Sequence, residues 1–510
     1  MEQRDQMNEV EANGASPTPV LHDDMKSSAI RALFWRLFEQ GGAAAVTLVV
    51  QVVMARKLSP EEFGALAIML VFVNVGNVMV QSGLNTAIIQ SPDTTDDDCS
   101  TVFWMSLTVS LLLYVVVFLS APHVAAFYRM PRIIAPLRLL VAVLVINAYN
   151  SVQEAVVARD LQFNKTARAT VVAGVVSGTT GVIMATRGFG LWSLVAQQLL
   201  QQLVKCIVLA AQVPWKPRPV FHVHRAAVLF GFGWKLLVSG ILDQGYQSLT
   251  DLVIGKVFTD RDLGFVSQGK KYPFYLGAML DGVIQPVMLS TAAHVQDDLG
   301  RVKRLVRRAL KTSTFLIVPA MAAFAVAANP IVQIVFGEKW LPSVPFLQMY
   351  CLIYAMLPID TTNLQALNGM GRSDLFLKLE VIKKAIGLGT ICFTALVLRN
   401  IFAIVIGQVI SNFVCTFVNA HPNKRVIGYG YLEQARDVFP AFALSVAAAV
   451  VVVPLSQLGW SALLTAVVQI LVMAIVYLGL AWLFRVEEFS YLLTTAHEII
   501  MRRSGARTAR

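Results

Sequence analysis

The sequence predicts an all-α polytopic membrane protein, and three observations predict it. Of 510 residues, 56% are hydrophobic and only 14% are charged, against roughly 45 to 50% apolar and about 25% charged in soluble chains. The apolar residues gather into runs long enough to cross a bilayer, with only short connections between them. The chain also resembles itself at a fixed spacing. A soluble globular enzyme, a disordered protein and a disulfide scaffold are thereby excluded as classes, and the mean hydropathy of +0.63 agrees. The predicted plan is about 14 transmembrane helices, made of two six-helix lobes related by a pseudo-two-fold along the membrane normal plus two C-terminal helices.

Taken in order, residues 1–28 are polar, with Glu2, Asp5, Glu9, Glu11, Asp23 and Asp24 against Arg4 and Lys26. They lack the apolar core that a cleaved signal peptide needs, so a disordered cytoplasmic tail is expected. Apolar segments follow at about 30–55, 63–90, 100–120, 133–157, 166–185, 191–211, 228–255, 265–292, 309–328, 344–369, 376–397, 401–420, 437–455 and 461–484. Each suits the roughly 20 residues a spanning helix requires. The expected organisation is an N-lobe over 29–211, a cytoplasmic linker at 212–227, a C-lobe over 228–420, helices 13 and 14 within 421–484 and a basic cytoplasmic tail at 485–510.

Loop charges orient this array, because cytoplasmic loops retain Lys and Arg. With the N-terminus inside, the inner loops hold 19 such residues and the outer loops 11, and the C-terminal tail adds five more inside. Both termini are therefore expected in the cytoplasm. One loop departs from the rule: Asp93, Asp96, Asp97 and Asp98 are acidic where a basic loop is expected. The net charge of +11 reads as loops facing anionic lipid, not as a nucleic-acid surface.

Sliding the sequence along itself aligns Ala55–Gly64 with Gly255–Gly264 at an offset of 200, pairing a basic residue, an apolar one, a hydroxyl, an acid and a glycine. At an offset of 213, Asn150, Arg159, Phe163 and Lys165 fall on Asn363, Arg372, Phe376 and Lys378. Both offsets advance the chain by six segments. Six is even, so the repeats share one orientation and relate by an axis along the membrane normal.

An ionisable side chain at membrane depth costs at least about 2.5 to 3.5 kcal/mol on insertion scales, so each should face protein or water. Segment 7 is the richest. Lys235, Ser239, Asp243 and Gln247 recur every four residues on one helix stripe, continued by Asp251. The candidate cavity cations are Lys235, Arg36, Lys270 and Lys271, suited to an anionic headgroup. Candidate coupling or counter-ion carboxylates are Asp243, Asp281, Asp360 and Glu39, with Asp243 either a counter-ion to Lys235 or a proton-coupling group. Pro286 and Pro358 are candidate hinges, since proline frees a backbone carbonyl and permits bending. Arg138, Glu154, Asn74, Asn77 and Gln81 are read as packing or snorkelling groups, and Gly174 with Gly178 as a close-packing GxxxG. The five scattered cysteines read as packing residues. No cofactor, metal or catalytic residue is expected: there is no P-loop, no GxSxG and no HExxH despite His497-Glu498.

Leu58-Ser59-Pro60-Glu61-Glu62-Phe63-Gly64, Gln81-Ser82-Gly83-Leu84 through Gln90, Leu161-Gln162-Phe163 and Asp251-Leu252-Val253-Ile254-Gly255 carry a resemblance. Together with the six-plus-six-plus-two plan, they resemble the polysaccharide-export flippases of the multidrug/oligosaccharidyl-lipid/polysaccharide exporter superfamily. The branch resembled is the Wzx type serving exopolysaccharides such as colanic acid, over about residues 28–485. The resemblance implies translocation of an undecaprenyl-diphosphate-linked oligosaccharide by alternating access, for exopolysaccharide or lipopolysaccharide biosynthesis. It implies as partners that lipid-linked oligosaccharide, membrane lipids and polysaccharide polymerase or export machinery, with no nucleic acid. A cation-coupled multidrug antiporter of the same superfamily is the alternative, disfavoured by the intramembrane lysines. An integral-membrane polymerase or ligase needs a sizeable outer loop, and the outer loops here are short.

Overall fold

A computed structural model describes residues 49–81, 85, 88–89, 94–295 and 298–494. The N-terminal tail, Arg36 and Glu39 lie outside the described residues, as does the last part of the basic C-terminal tail. Among the described residues there is no strand. Residues 49–57 close a first helix, and the long helices that follow are α1 (Pro60–Gln81), α2 (Asp96–Tyr128), α3 (Val143–Arg159), α4 (Phe163–Thr186), α5 (Leu191–Gln212), α6 (Val223–Val257) and α7 (Asp260–His294). Beyond them come α8 (Leu299–Val326), α9 (Val344–Ala355), α10 (Leu357–Gly369), α11 (Ser373–Phe393), α12 (Ile401–Val426), α13 (Tyr431–Val452) and α14 (Ala462–Leu483).

Eleven helical stretches among the described residues are long and apolar enough to cross a membrane, so this is a multi-pass membrane protein. The expected count of about 14 is not reached by that measure, for identifiable reasons. Most of the first expected segment lies outside the described residues. Segments 7 and 8 do form helices, α6 and α7, of 35 residues each, but they carry Lys235, Asp243 and Asp251, and Lys270, Lys271 and Asp281. Helices with that load are stable at membrane depth only when protein or water covers the polar stripe.

The chain divides into two compact units that cut across helices. One is built on Phe72–Ala121 and Ile134–Leu242, the other on Val52–Val71, Pro122–Ile133 and Asp243 onward. In the first unit, a hairpin of α4 and α5 turns at Gly188, whose φ of +81° suits glycine. Gly178 on α4 leaves room for the Val50 side chain, with which a Cβ would collide. Glu154 pairs with Lys205 at 2.6 Å, Asn147 donates to Asn77 at 2.8 Å, and the Arg138 guanidinium lies 4.4 Å from the Phe118 ring centroid.

The acidic loop is explained in this same unit. Arg218 approaches Asp96 and Asp97 at 3.4 and 3.3 Å, and Arg225 reaches Asp98 at 3.1 Å. Trp104 Nε1 donates to the Arg218 carbonyl at 2.8 Å, and Trp215 packs with Phe103, Val152 and Leu209 in a buried cluster. Asp96, Asp97 and Asp98 are thus ion-pair partners of the basic linker, tethering it to the start of α2, while Asp93 lies outside the described residues.

In the second unit, α13 and α14 pack on α8 through Phe315, Leu444, Ala448, Met473 and Tyr477, and the Tyr477 hydroxyl donates to the Phe315 carbonyl at 2.9 Å. An α-helix has few free carbonyls, so this bond fixes the register of α14 against its neighbour. Cys351 and Cys415 are buried against other helices here, as Cys99 is in the first unit.

Candidate functional site

Two features of the second unit bear on function: a clasp at one end and a polar cavity further in. The clasp joins the two stretches that the 200-residue offset aligns. A Cβ at Gly64 would overlap the Asp260 carbonyl oxygen, and a Cβ at Gly264 would overlap the Pro60 carbonyl oxygen. Positions 60 and 64 therefore meet 264 and 260, the reciprocal exchange that a two-fold between repeats produces. The same exchange recurs one turn away. Arg56 Nε donates to the Val335 carbonyl at 3.1 Å, and Lys256 Nζ donates to the Phe127 carbonyl at 2.7 Å while lying 3.8 Å from the Phe127 ring centroid. Arg132 binds Asp260 at 2.6 Å and the Glu61 carbonyl at 2.7 Å. At the centre sits Trp340, fully buried, donating to the Ala55 carbonyl at 2.8 Å and edge-on to Phe63 and Phe265. Glycine allows the helix starts to touch backbone to backbone, and Arg56 and Lys256 cap carbonyls at the C-terminal ends of neighbouring helices, at Val335 and Phe127.

The cavity, about 190 Å³, is lined by Tyr246, Gln247 and Thr250 of α6, Lys270 of α7, Tyr350 and Tyr354 of α9, and residues of α11 and α12 that include Gln408 and Asn412. Gln408 is its structural hub. Tyr350 donates to Gln408 Oε1 at 3.0 Å and Gln408 Nε2 donates to Thr250 at 2.6 Å, linking three helices through one amide. Asp251, half-buried, lies within electrostatic reach of Lys270, Tyr350 and Tyr354, and its Oδ1 has no hydrogen-bond partner. One ammonium with several hydroxyls and amides makes a lining that can hold a hydrated, anionic or hydroxyl-rich group.

The remaining candidates are placed as follows. Lys270 lines this cavity; Lys271, next on α7, does not, since one residue along a helix turns the side chain by about 100°. Asp243 is held by Lys384 at 3.1 Å and accepts from Gln247 at 2.7 Å. That makes Lys384 of α11 an ion-pair partner of the α6 stripe. Asp360 accepts from Asn419 at 2.8 Å, and Asp281 sits near Thr361 with its Oδ1 unpartnered. Pro358 is the second residue of α10, where the apolar stretch 344–369 breaks at Met356 into α9 and α10. Pro286 lies in the uninterrupted α7, and Lys235 lies in α6; the side chains of both fall outside the described residues.

Sequence reasoning missed the tyrosines and Gln408. Tyr350 and Tyr354 read as apolar filling of segment 10, and Gln408 is one amide in an apolar run. A signal was present in their four-residue spacing, which puts both tyrosines on one face of α9.

A glycine-clasped, all-helical multi-pass membrane protein with polar side chains enclosed among its helices is the class this architecture defines. Its fold is that of the multidrug/oligosaccharidyl-lipid/polysaccharide superfamily: the lipid II flippase MurJ, in an inward closed conformation, superposes with a TM-score of 0.73 at 12% identity, covering 89% of this chain and 98% of that one. A Vibrio cholerae MATE transporter gives 0.55 at 13% identity over 81% and 99% of the two chains. The chain belongs to the polysaccharide biosynthesis protein family, whose model matches residues 53–345. It is 24% identical over 366 residues to the succinoglycan biosynthesis transport protein ExoT of Rhizobium meliloti, covering 72% of this chain and 74% of ExoT. It is also 24% identical over 415 residues to the lipopolysaccharide biosynthesis protein WzxC of Escherichia coli, covering 79% and 82%.

Proposed function

We propose that this protein is a flippase that carries an undecaprenyl-diphosphate-linked oligosaccharide across the bacterial inner membrane by alternating access, for exopolysaccharide or lipopolysaccharide biosynthesis. The observation that carries the reading is the cavity holding Lys270 among tyrosine and amide side chains, in a member of a polysaccharide biosynthesis family. A diphosphate needs a cation and sugars need hydroxyl and amide partners; the lipid tail stays in hydrocarbon. On this reading Lys235 and Arg36 add cations along the path, and Lys271 stands beside it. Asp243, Asp281, Asp360 and Glu39 balance or couple charge, and Pro286 and Pro358 bend as the path opens.

The same reading makes residues 29–211 and 228–420 two moving lobes, with both termini cytoplasmic and helices 13 and 14 appended. The clasp at Gly64 and Gly264 is then the periplasmic gate, closed here. Tight backbone contact favours that closed state, and a substrate that binds more strongly to the open state shifts the balance. Family members named for transport support translocation over catalysis.

The test is deletion of the gene. Surface polysaccharide is expected to disappear while the lipid-linked repeat unit accumulates in the inner leaflet; normal export in the deletion strain overturns the reading. The second reading, a cation-coupled multidrug antiporter, is favoured by the open carboxylate oxygens of Asp251 and Asp281. Unchanged drug susceptibility on overexpression rejects it.

A further inference from the structure

A larger cavity, about 910 Å³, lies at another place in the second unit, away from Lys270. It is bounded by the end of α8, the short helix Ala328–Val335, the start of α9, and the connection from α13 into α14. Its volume is within the range of small-molecule sites, about 300 to 1,000 Å³. Its lining combines amides and hydroxyls with one indole: Asn329, Gln333, Gln348, Thr465, Gln469 and Trp460. No Lys, Arg, Asp or Glu is among the lining residues.

Gln469 is the informative residue. It sits in α14, a helix apolar enough to span the bilayer, and is only 2% exposed, yet its Oε1 has no hydrogen-bond partner. A buried amide oxygen left open destabilises the fold, so native structures nearly always give it a protein, water or ligand partner. Here the open oxygen belongs to a residue lining the cavity. The neighbouring Thr465 hydroxyl is spent on the Ser461 carbonyl at 3.1 Å, and Gln348 Nε2 on the Ala325 carbonyl at 3.0 Å.

We propose that this cavity binds neutral sugar residues. A sugar ring offers hydroxyls that both donate and accept, which match amide side chains, and an apolar C–H face that suits the Trp460 ring. A phospholipid headgroup is disfavoured because its phosphate seeks Arg or Lys, and none lines the cavity. The site deepens the flippase reading, on which it rests for one point only: the sugars are those of the translocated oligosaccharide, met on the periplasmic side by the α13–α14 connection.

The test uses the purified full-length protein in phosphatidylcholine nanodiscs, titrated with three neutral trisaccharides, maltotriose, mannotriose and galactotriose, while intrinsic fluorescence is compared with that of Trp460→Phe. At least one sugar is expected to give a saturable change that Trp460→Phe removes and that Gln469→Leu weakens roughly fivefold. Gln333→Ala, at an exposed position, is expected to weaken it about twofold with unchanged thermal stability, which covers the case in which the buried substitution fails to fold. No saturable response to any of the three overturns the proposal and leaves a water-filled cavity, and a response of wild-type strength in both glutamine variants overturns it by placing the sugar elsewhere. Loss of the response when phosphatidylglycerol replaces phosphatidylcholine overturns it in favour of a lipid site. Sugar binding that persists while the deletion strain still exports polysaccharide sinks the flippase reading and leaves this site standing.

Discussion

The clasp and the Lys270 cavity lie in the same compact unit and are built on opposite principles. In the clasp, helix starts touch through glycines, and arginine, lysine and tryptophan donors reach backbone carbonyls. In the cavity, side chains meet side chains, and Asp251, outside the lining but within electrostatic reach of Lys270, keeps an oxygen without a partner. Backbone contact leaves almost no freedom for substitution, because an added Cβ has nowhere to go. Open polar atoms do the reverse: they cost stability and leave capacity for a ligand. The difference separates a part that holds a state from a part that binds something within it.

Substitutions at the two places should therefore behave differently. The largest effect is expected from Gly64→Leu and Gly264→Leu, whose side chains would run into the carbonyls of Asp260 and Pro60. Each should either lower the yield of folded protein or hold the clasp open. Gly64→Ala, adding only a methyl, is expected to cost about 1 to 3 kcal/mol, read as a lower melting temperature of the detergent-purified protein. Wild-type stability in Gly64→Ala breaks the comparison.

Lys270→Ala comes next. It should leave the melting temperature near that of the wild type and lower polysaccharide export at least about tenfold, the loss of one charge-assisted contact. Lys270→Arg should retain most of the activity. Equal export in both variants would mean that the charge is not used. The smallest effect is expected from Arg132→Ala at the rim of the clasp. Its side chain is 43% exposed in its pair with Asp260, and such pairs contribute about 0 to 1 kcal/mol. That contribution should shrink further as salt screens it, which melting curves at low and high ionic strength check.

Much of this was legible in the chain. Hydropathy identified membrane helices because a spanning helix must be apolar along most of its length, and the 200-residue offset aligned the stretches that hold Gly64 and Gly264, though not the contact between them. The polar stripe of α6 was legible for the same reason: Asp243 and Gln247 are conspicuous in an apolar setting. Tyr350 and Tyr354 were not, since tyrosine fits both a packed helix face and a wet one. The pairing of Lys384 with Asp243 was not legible either, because nothing in the sequence says which neighbouring helix brings a carboxylate to a given lysine. The acidic Asp96–Asp98 stretch likewise looked like an exception until the linker arginines closed on it.

What the sequence determined by itself is the class: apolar runs of spanning length, a repeat that advances by an even number of helices, and charges too costly to face lipid. These are properties of single segments and their order, so solvent transfer alone decides them. Only the tertiary structure decided the partners. Which lysine answers Asp243, which amide joins α6, α9 and α12, and which glycine meets which carbonyl depend on contacts across hundreds of residues. Chain statistics cannot supply those, because any of several polar groups satisfies the same burial cost until packing selects one.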